Sequence, residues 1–125
     1  MKNQSFMRRL RFAINGICSA FCSEQSFRIE VLAGAGVLAV LLYMRPAPLW
    51  WAIGALVVGL VLVTELFNTA LEMLIDHLHP EQHPAIRAVK DIAAGAVLIC
   101  STIALLVAGA FIEAYFTSIF EGINK

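Results

Sequence analysis

The chain has 125 residues, of which 60% are hydrophobic and only 14% charged, and its mean hydropathy is +0.81. This composition excludes an ordinary water-soluble domain and makes lipid the solvent, which relieves a short chain of building a large core of its own. Nine basic and nine acidic residues leave no net charge, so nothing in the composition speaks for a nucleic-acid partner.

Residues 5–22 carry Phe6, Leu10, Ile14, Ile17 and Phe21 at helical spacing, with Arg8, Arg9, Arg11 and Asn15 on the polar side. The pattern predicts an amphipathic helix at the membrane surface, its basic groups meeting lipid phosphates and its apolar face entering the interface. Within it, Gly16 either permits close approach to another helix or is simply a tolerated small residue. The polar N-terminus reads as part of the folded protein and not as a cleavable leader. Cys18, Cys22 and Cys100 form neither a zinc pattern nor a disulfide framework, and they read as packing residues.

A first crossing is predicted over residues 28–44. The uncharged run 31–44 is short for a span and draws on residues 27–30 for its near end. Arg45-Pro46-Ala47-Pro48 stops that helix and leaves room for a tight turn only. A second helix is predicted over 49–78, starting with Trp50 and Trp51 at the far interface and extending beyond the membrane on the near side. His79-Pro80-Glu81-Gln82-His83-Pro84 reads as a loop, and a third crossing is predicted over 90–113. Gly95 and the flanking Ala93, Ala94 and Ala96 offer a smooth surface for close packing. The reading is one all-α integral membrane domain, 1–125, of three transmembrane helices plus the surface helix. Three thin helices enclose little volume, which favours an oligomer.

With alternate crossings, Lys2, Arg8, Arg9, Arg11, Arg28, Arg87 and Lys90 fall on one side, and Arg45 and Lys125 on the other. That asymmetry puts the N-terminus and the 65–91 region in the cytoplasm.

The second helix ends in the sequence Glu65-Leu66-Phe67-Asn68-Thr69-Ala70-Leu71-Glu72-Met73-Leu74-Ile75-Asp76. At 100° per residue, Glu65, Asn68, Glu72 and Asp76 share a narrow sector while Leu66, Leu71, Leu74 and Ile75 cover the rest. Three carboxylates on one buried face repel one another unless a divalent cation, a proton or a basic partner relieves them. The alternative is a solvated stripe on an emerging helix end, which suits Asp76 better than Glu65. Glu24 and Glu30 add acids beside the first crossing, with Arg28 between them as a phosphate-depth anchor. Glutamates from two helices supply the oxygen ligands that magnesium takes alongside phosphate oxygens and water. Lys90 can neutralise nucleotide phosphates and Asp91 can accept hydrogen bonds, although interfacial anchoring also accounts for either. No glycine-rich phosphate loop is present, so a phosphotransferase would have to work with membrane helices. An ion-coupled transporter subunit and a non-catalytic structural protein remain alternatives at this point.

Four motifs in order resemble the prokaryotic diacylglycerol kinase family, including its undecaprenol kinase branch. They are Phe12-Ala13-Ile14-Asn15-Gly16, the 23–30 segment from Ser23 to Glu30, the 65–72 stripe with Asp76, and Val89-Lys90-Asp91-Ile92-Ala93-Ala94-Gly95-Ala96. The resemblance covers roughly residues 8–110 and implies a homotrimeric lipid kinase of the bacterial inner membrane, with active sites assembled between subunits at the cytoplasmic face. It implies ATP as phosphoryl donor, Mg²⁺, and a membrane lipid alcohol, undecaprenol or diacylglycerol, as acceptor. Carried onto this chain, Glu65 is the base facing the lipid hydroxyl and Asn68 orients the acceptor. Glu24 and Glu72 hold magnesium, Lys90 contacts the ATP phosphates, and Asp91 contacts the polar part of the nucleotide. Glu30, Asp76 and Arg28 take supporting places, Glu30 towards the lipid. Arg8, Phe12, Asn15 and His83 stand where nucleotide contacts are expected. Asn15 replaces a residue that is often basic in the family, and the 83–96 segment looks closer to the undecaprenol kinase branch.

Overall fold

A computed structural model describes residues 5–79, 81 and 83–123, with side chains to residue 117. Lys2 and Lys125 of the charge asymmetry, and Pro80 and Gln82 of the loop, lie outside the described residues. The elements are four helices: α1 (Phe6–Ser23), α2 (Gln25–Met44), α3 (Pro48–Leu78) and α4 (Pro84–Ile123). Three of them, α2, α3 and α4, are long and apolar enough to cross a membrane. The all-α architecture of three spans and one extra N-terminal helix is therefore as expected.

A single residue separates α1 from α2. Glu24 is extended (φ −107°, ψ 121°), its N–H donates to Ala20 O at 2.9 Å, and its carbonyl accepts from Arg28 N at 3.3 Å. That backbone conformation is ordinary for any L-residue, so the chain turns here without glycine or proline. The helix after this hinge begins three residues earlier than the predicted position 28.

Arg45, in contrast, closes α2 in the left-handed region (φ 46°, ψ 54°), with its N–H on Leu41 O at 2.9 Å. This is the helix-ending conformation that glycine usually supplies. Pro46 cannot continue the helix, and Pro48 opens α3 at a position where its missing N–H is harmless.

The third crossing is longer at both ends than the predicted 90–113. It starts at Pro84 and runs to Ile123, 40 residues or about 60 Å at 1.5 Å per residue. Charged residues mark where a membrane run stops, but they do not stop a helix. At its near end α4 continues past the apolar run beside the projecting end of α3.

Packing centres on α3, which lies against α4 and α2 and touches α1 more sparsely. Glycines on the α2–α3 seam allow this. A Cβ at Gly34 would stand 2.8 Å from Val58 Cγ1, and one at Gly54 would stand 3.1 Å from Leu41 Cδ1. Gly16 and Gly95 do not bring helices together within the chain, because a Cβ at either would meet nothing within 4 Å. Trp50 packs edge-on against Phe111 (centroids 5.0 Å, 75°) and ties α3 to α4 at one end. Midway, Thr64 Oγ1 lies 3.3 Å from Cys100 Sγ while donating to Leu60 O at 2.6 Å. Cys18 and Cys22, read as packing residues, are exposed in the chain.

Few apolar side chains are enclosed. Ala20, Phe27, Leu41 and Ile75 are buried, whereas residues such as Leu56, Leu98 and Leu105 are more than two-thirds exposed. In water this would be an aggregation surface, but against lipid it is the expected exterior of a spanning bundle.

Candidate active site

Against this thinly packed background, the buried polar residues among those described are Glu65 and Thr69, 4% and 5% exposed. Both sit on α3 one turn apart. Along the stripe, exposure rises toward the helix end: Glu65 is buried, Asn68 and Glu72 are half-buried, and Asp76 is exposed. The solvated-stripe reading therefore describes Asp76 but not Glu65. Thr69 did not stand out in the sequence, where a threonine in an apolar helix is unremarkable. Its spacing of four from Glu65 was the available signal.

The hinge brings acids from the other side. Glu24, half-buried, is the hinge residue itself, and its carboxylate lies within electrostatic reach of Glu65 on α3. Glu65 feels the charges of Glu72 and Glu24, and Glu30 feels that of Glu65, so four carboxylates from the hinge, α2 and α3 form one electrostatic group. Within it, Asn68 Nδ2 donates to Glu72 Oε1 at 3.4 Å. Asn68 Oδ1 and Glu30 Oε2 are buried with no hydrogen-bond partner. Unsatisfied buried acceptors are costly and call for a donor or a cation.

The basic partner comes from α4. Lys90 Nζ forms an ion pair with Asp76 Oδ1 and lies within electrostatic reach of Glu72. The α3 stripe and the start of α4 thus face each other across the 79–83 connection.

Other expected residues are not gathered there. Arg8 stacks its guanidinium 6.0 Å from the Phe12 ring centroid, but both are exposed on α1, as is Asn15. Among the described residues α1 makes no packing contact with α4, so one chain does not bring Arg8, Phe12 or Asn15 to Lys90 and Asp91. Asp91 and Arg28 are exposed and have no ion-pair partner among the described residues. His83 acts locally, its Nδ1 accepting the Ala85 N–H at 3.2 Å and so capping the first turn of α4.

The donor set is all oxygen. No three histidine, cysteine, aspartate or glutamate side chains among the described residues are grouped to hold a metal ion by themselves. Such a set suits a hard cation that keeps water or phosphate oxygens in its shell and does not suit a soft metal needing a closed cage. The two orphaned acceptors are compatible with that chemistry.

Comparison with known proteins places the architecture. Residues 11–112 match the prokaryotic diacylglycerol kinase family. A diacylglycerol kinase of Synechocystis is 35% identical over 100 residues, covering 79% of this chain and 57% of the relative. The chain thus spans little more than half the length of that protein. The undecaprenol kinase of Bacillus subtilis is 30% identical over 82% of this chain and 83% of its own length. A diacylglycerol kinase of Pseudomonas aeruginosa is 27% identical over 82% and 86%. Identity is higher to the Synechocystis diacylglycerol kinase than to the undecaprenol kinase, so it does not carry the branch expected from the 83–96 segment. With 102 consecutive residues matched, spanning the hinge, the α3 stripe and the Lys90 face of α4, the chain belongs to the prokaryotic diacylglycerol kinase family.

Proposed function

We propose that the protein transfers the γ-phosphoryl group of ATP to the hydroxyl of a membrane lipid alcohol, undecaprenol or diacylglycerol. The observation that carries this reading is the buried carboxylate Glu65, at the junction of the apolar span and an oxygen-rich polar cluster. A lipid alcohol presents both parts of itself to such a junction, its chain to the membrane and its hydroxyl to the polar end.

In this reading Glu65 accepts the hydroxyl proton as the new phosphorus–oxygen bond forms, because an alcohol is a weak nucleophile at neutral pH. Asn68, held by Glu72, orients the hydroxyl through its otherwise unpartnered Oδ1, and Glu30 lies on the lipid side of the cluster. Glu24 and Glu72 are the residues suited to hold Mg²⁺, which when bound spreads phosphate charge. Lys90 neutralises phosphate, with Asp76 beside it, and Asp91 meets the polar part of the nucleotide. Arg8, Phe12, Asn15 and His83 are assigned to the nucleotide's periphery and Arg28 to membrane anchoring. Among the described residues α1 and α4 do not meet within one chain, and in this reading the groups on α1 reach Lys90 and Asp91 of a neighbouring subunit, in a homotrimer of single-domain chains with shared sites. The basic asymmetry supports a cytoplasmic active face in a bacterial inner membrane.

The test is a panel of hydroxyl lipids presented with ATP and magnesium to purified oligomer. Phosphorylated undecaprenol or diacylglycerol is the expected product and also identifies the acceptor. Ion flux in sealed vesicles without ATP turnover, and no phosphorylated lipid across the panel, would favour the transporter class instead.

A further inference from the structure

Beside the ends of α3 and α4 lies an open cavity of about 640 Å³, lined by Asp76, His79, His83, Ile86, Arg87 and Lys90 among others. Its size is in the range of small-molecule sites. His83, Arg87 and Lys90 follow one another at spacings of four and three, so they line the same side of the α4 start. Lys90 is held by Asp76, whereas Arg87 is exposed and has no carboxylate partner among the described residues. Glu81 on the connection also lines the cavity, yet it forms no ion pair with Arg87.

We infer that Arg87 is a second phosphate-binding residue, receiving the part of the polyphosphate that lies one helical turn farther out than Lys90. This rests on the reading of the protein as an ATP-dependent kinase. One turn apart on one face, the two cations stand about 4.5 Å apart along the helix axis, so they form a short ladder leading away from the acid stripe. With Lys90 already compensated by Asp76, Arg87 is the cation that offers the cavity uncompensated positive charge. The planar guanidinium supplies paired donors to non-bridging phosphate oxygens, and a lysine there would contribute only a point charge. The acceptor lipid, which carries no phosphate before reaction, has no use for the residue.

The experiment compares wild type, R87Q and R87K as assembled oligomers. Equilibrium binding of ATP, ADP and AMP is measured with magnesium present, and KM is measured separately for ATP and for the lipid. Expected for R87Q is an ATP affinity lower by about tenfold or more, the scale of a lost charge-assisted contact. The loss is shared by ATP and ADP and is smaller for AMP, the lipid KM is unchanged, and the salt dependence of ATP binding is flatter. R87K recovers part of the affinity. Equal affinities of R87Q and wild type for ATP would overturn the assignment, as would equal losses for all three nucleotides or a shift in the lipid KM alone. A wild-type oligomer that phosphorylates no lipid would instead remove the kinase reading itself, and that result is distinct from a normal kinase indifferent to Arg87.

Discussion

Replacing Glu65 with glutamine keeps the side chain's shape and removes its charge. Glu65 is 4% exposed and feels the carboxylates of Glu72 and Glu24. The like charges repel it, and burial of the charge adds to that cost, together on the order of 1 kcal/mol or more. E65Q is therefore expected to stabilise the fold by on the order of 1 kcal/mol or more, seen as a raised thermal midpoint in detergent or lipid discs. Its single-turnover rate should fall by a factor on the order of 10² to 10⁴, the usual range for lost acid–base help, while ATP and lipid binding stay measurable. The assay pairs binding isotherms with single-turnover phosphorylation at several magnesium concentrations. Near-normal chemistry in folded E65Q would refute the base assignment. Rescue by excess magnesium would move Glu65 into the metal-binding group, and a lowered midpoint would refute the electrostatic account of the buried cluster.

Three further substitutions probe separate links. G34A places a methyl 2.8 Å from Val58 Cγ1 and should destabilise the α2–α3 seam by about 1–3 kcal/mol; G36A, where a Cβ meets nothing within 4 Å, should not, and matched thermal midpoints decide. R45G relieves the left-handed conformation at the end of α2 and should raise stability by about 1 kcal/mol, whereas R45V should lower it; equal midpoints for both would show that the turn carries no strain. Glu24 and Glu72 belong to the acid cluster around Glu65 within one chain, so inactive E24Q and E72Q chains, co-assembled, should recover no activity, and recovery in verified mixed oligomers would show that the two ligands of one site come from different subunits.

The three crossings were legible because each is an apolar run bounded by a marker that polar solvent or backbone chemistry imposes: Glu24 and Arg28, then Arg45-Pro46, then the histidine–proline loop. The acid stripe was legible for a similar reason. Helical geometry alone puts Glu65, Asn68, Glu72 and Asp76 on one face, and their graded exposure follows from how far the chain's other helices cover that face. Helix ends were less legible at α4, where Arg87, Lys90 and Asp91 end an apolar run without ending a helix. Gly34 and Gly54 could not be told from Gly16 and Gly95, since all four are small residues in apolar helices and only packing shows which of them another helix approaches. The capping of α4 by His83 and the Lys90–Asp76 pair depend on two helix ends meeting across a connection, which no periodicity encodes.

Phosphoryl transfer to a lipid is tested most directly by following a labelled γ-phosphate. Purified protein in lipid discs is given γ-labelled ATP, magnesium and either undecaprenol or diacylglycerol, with chelated and E65Q reactions beside it. Label is expected on the lipid hydroxyl in the wild-type reaction, with transfer lost on chelation and strongly slowed on substitution. Label released solely as inorganic phosphate, or transfer undiminished in E65Q, would contradict this mechanism.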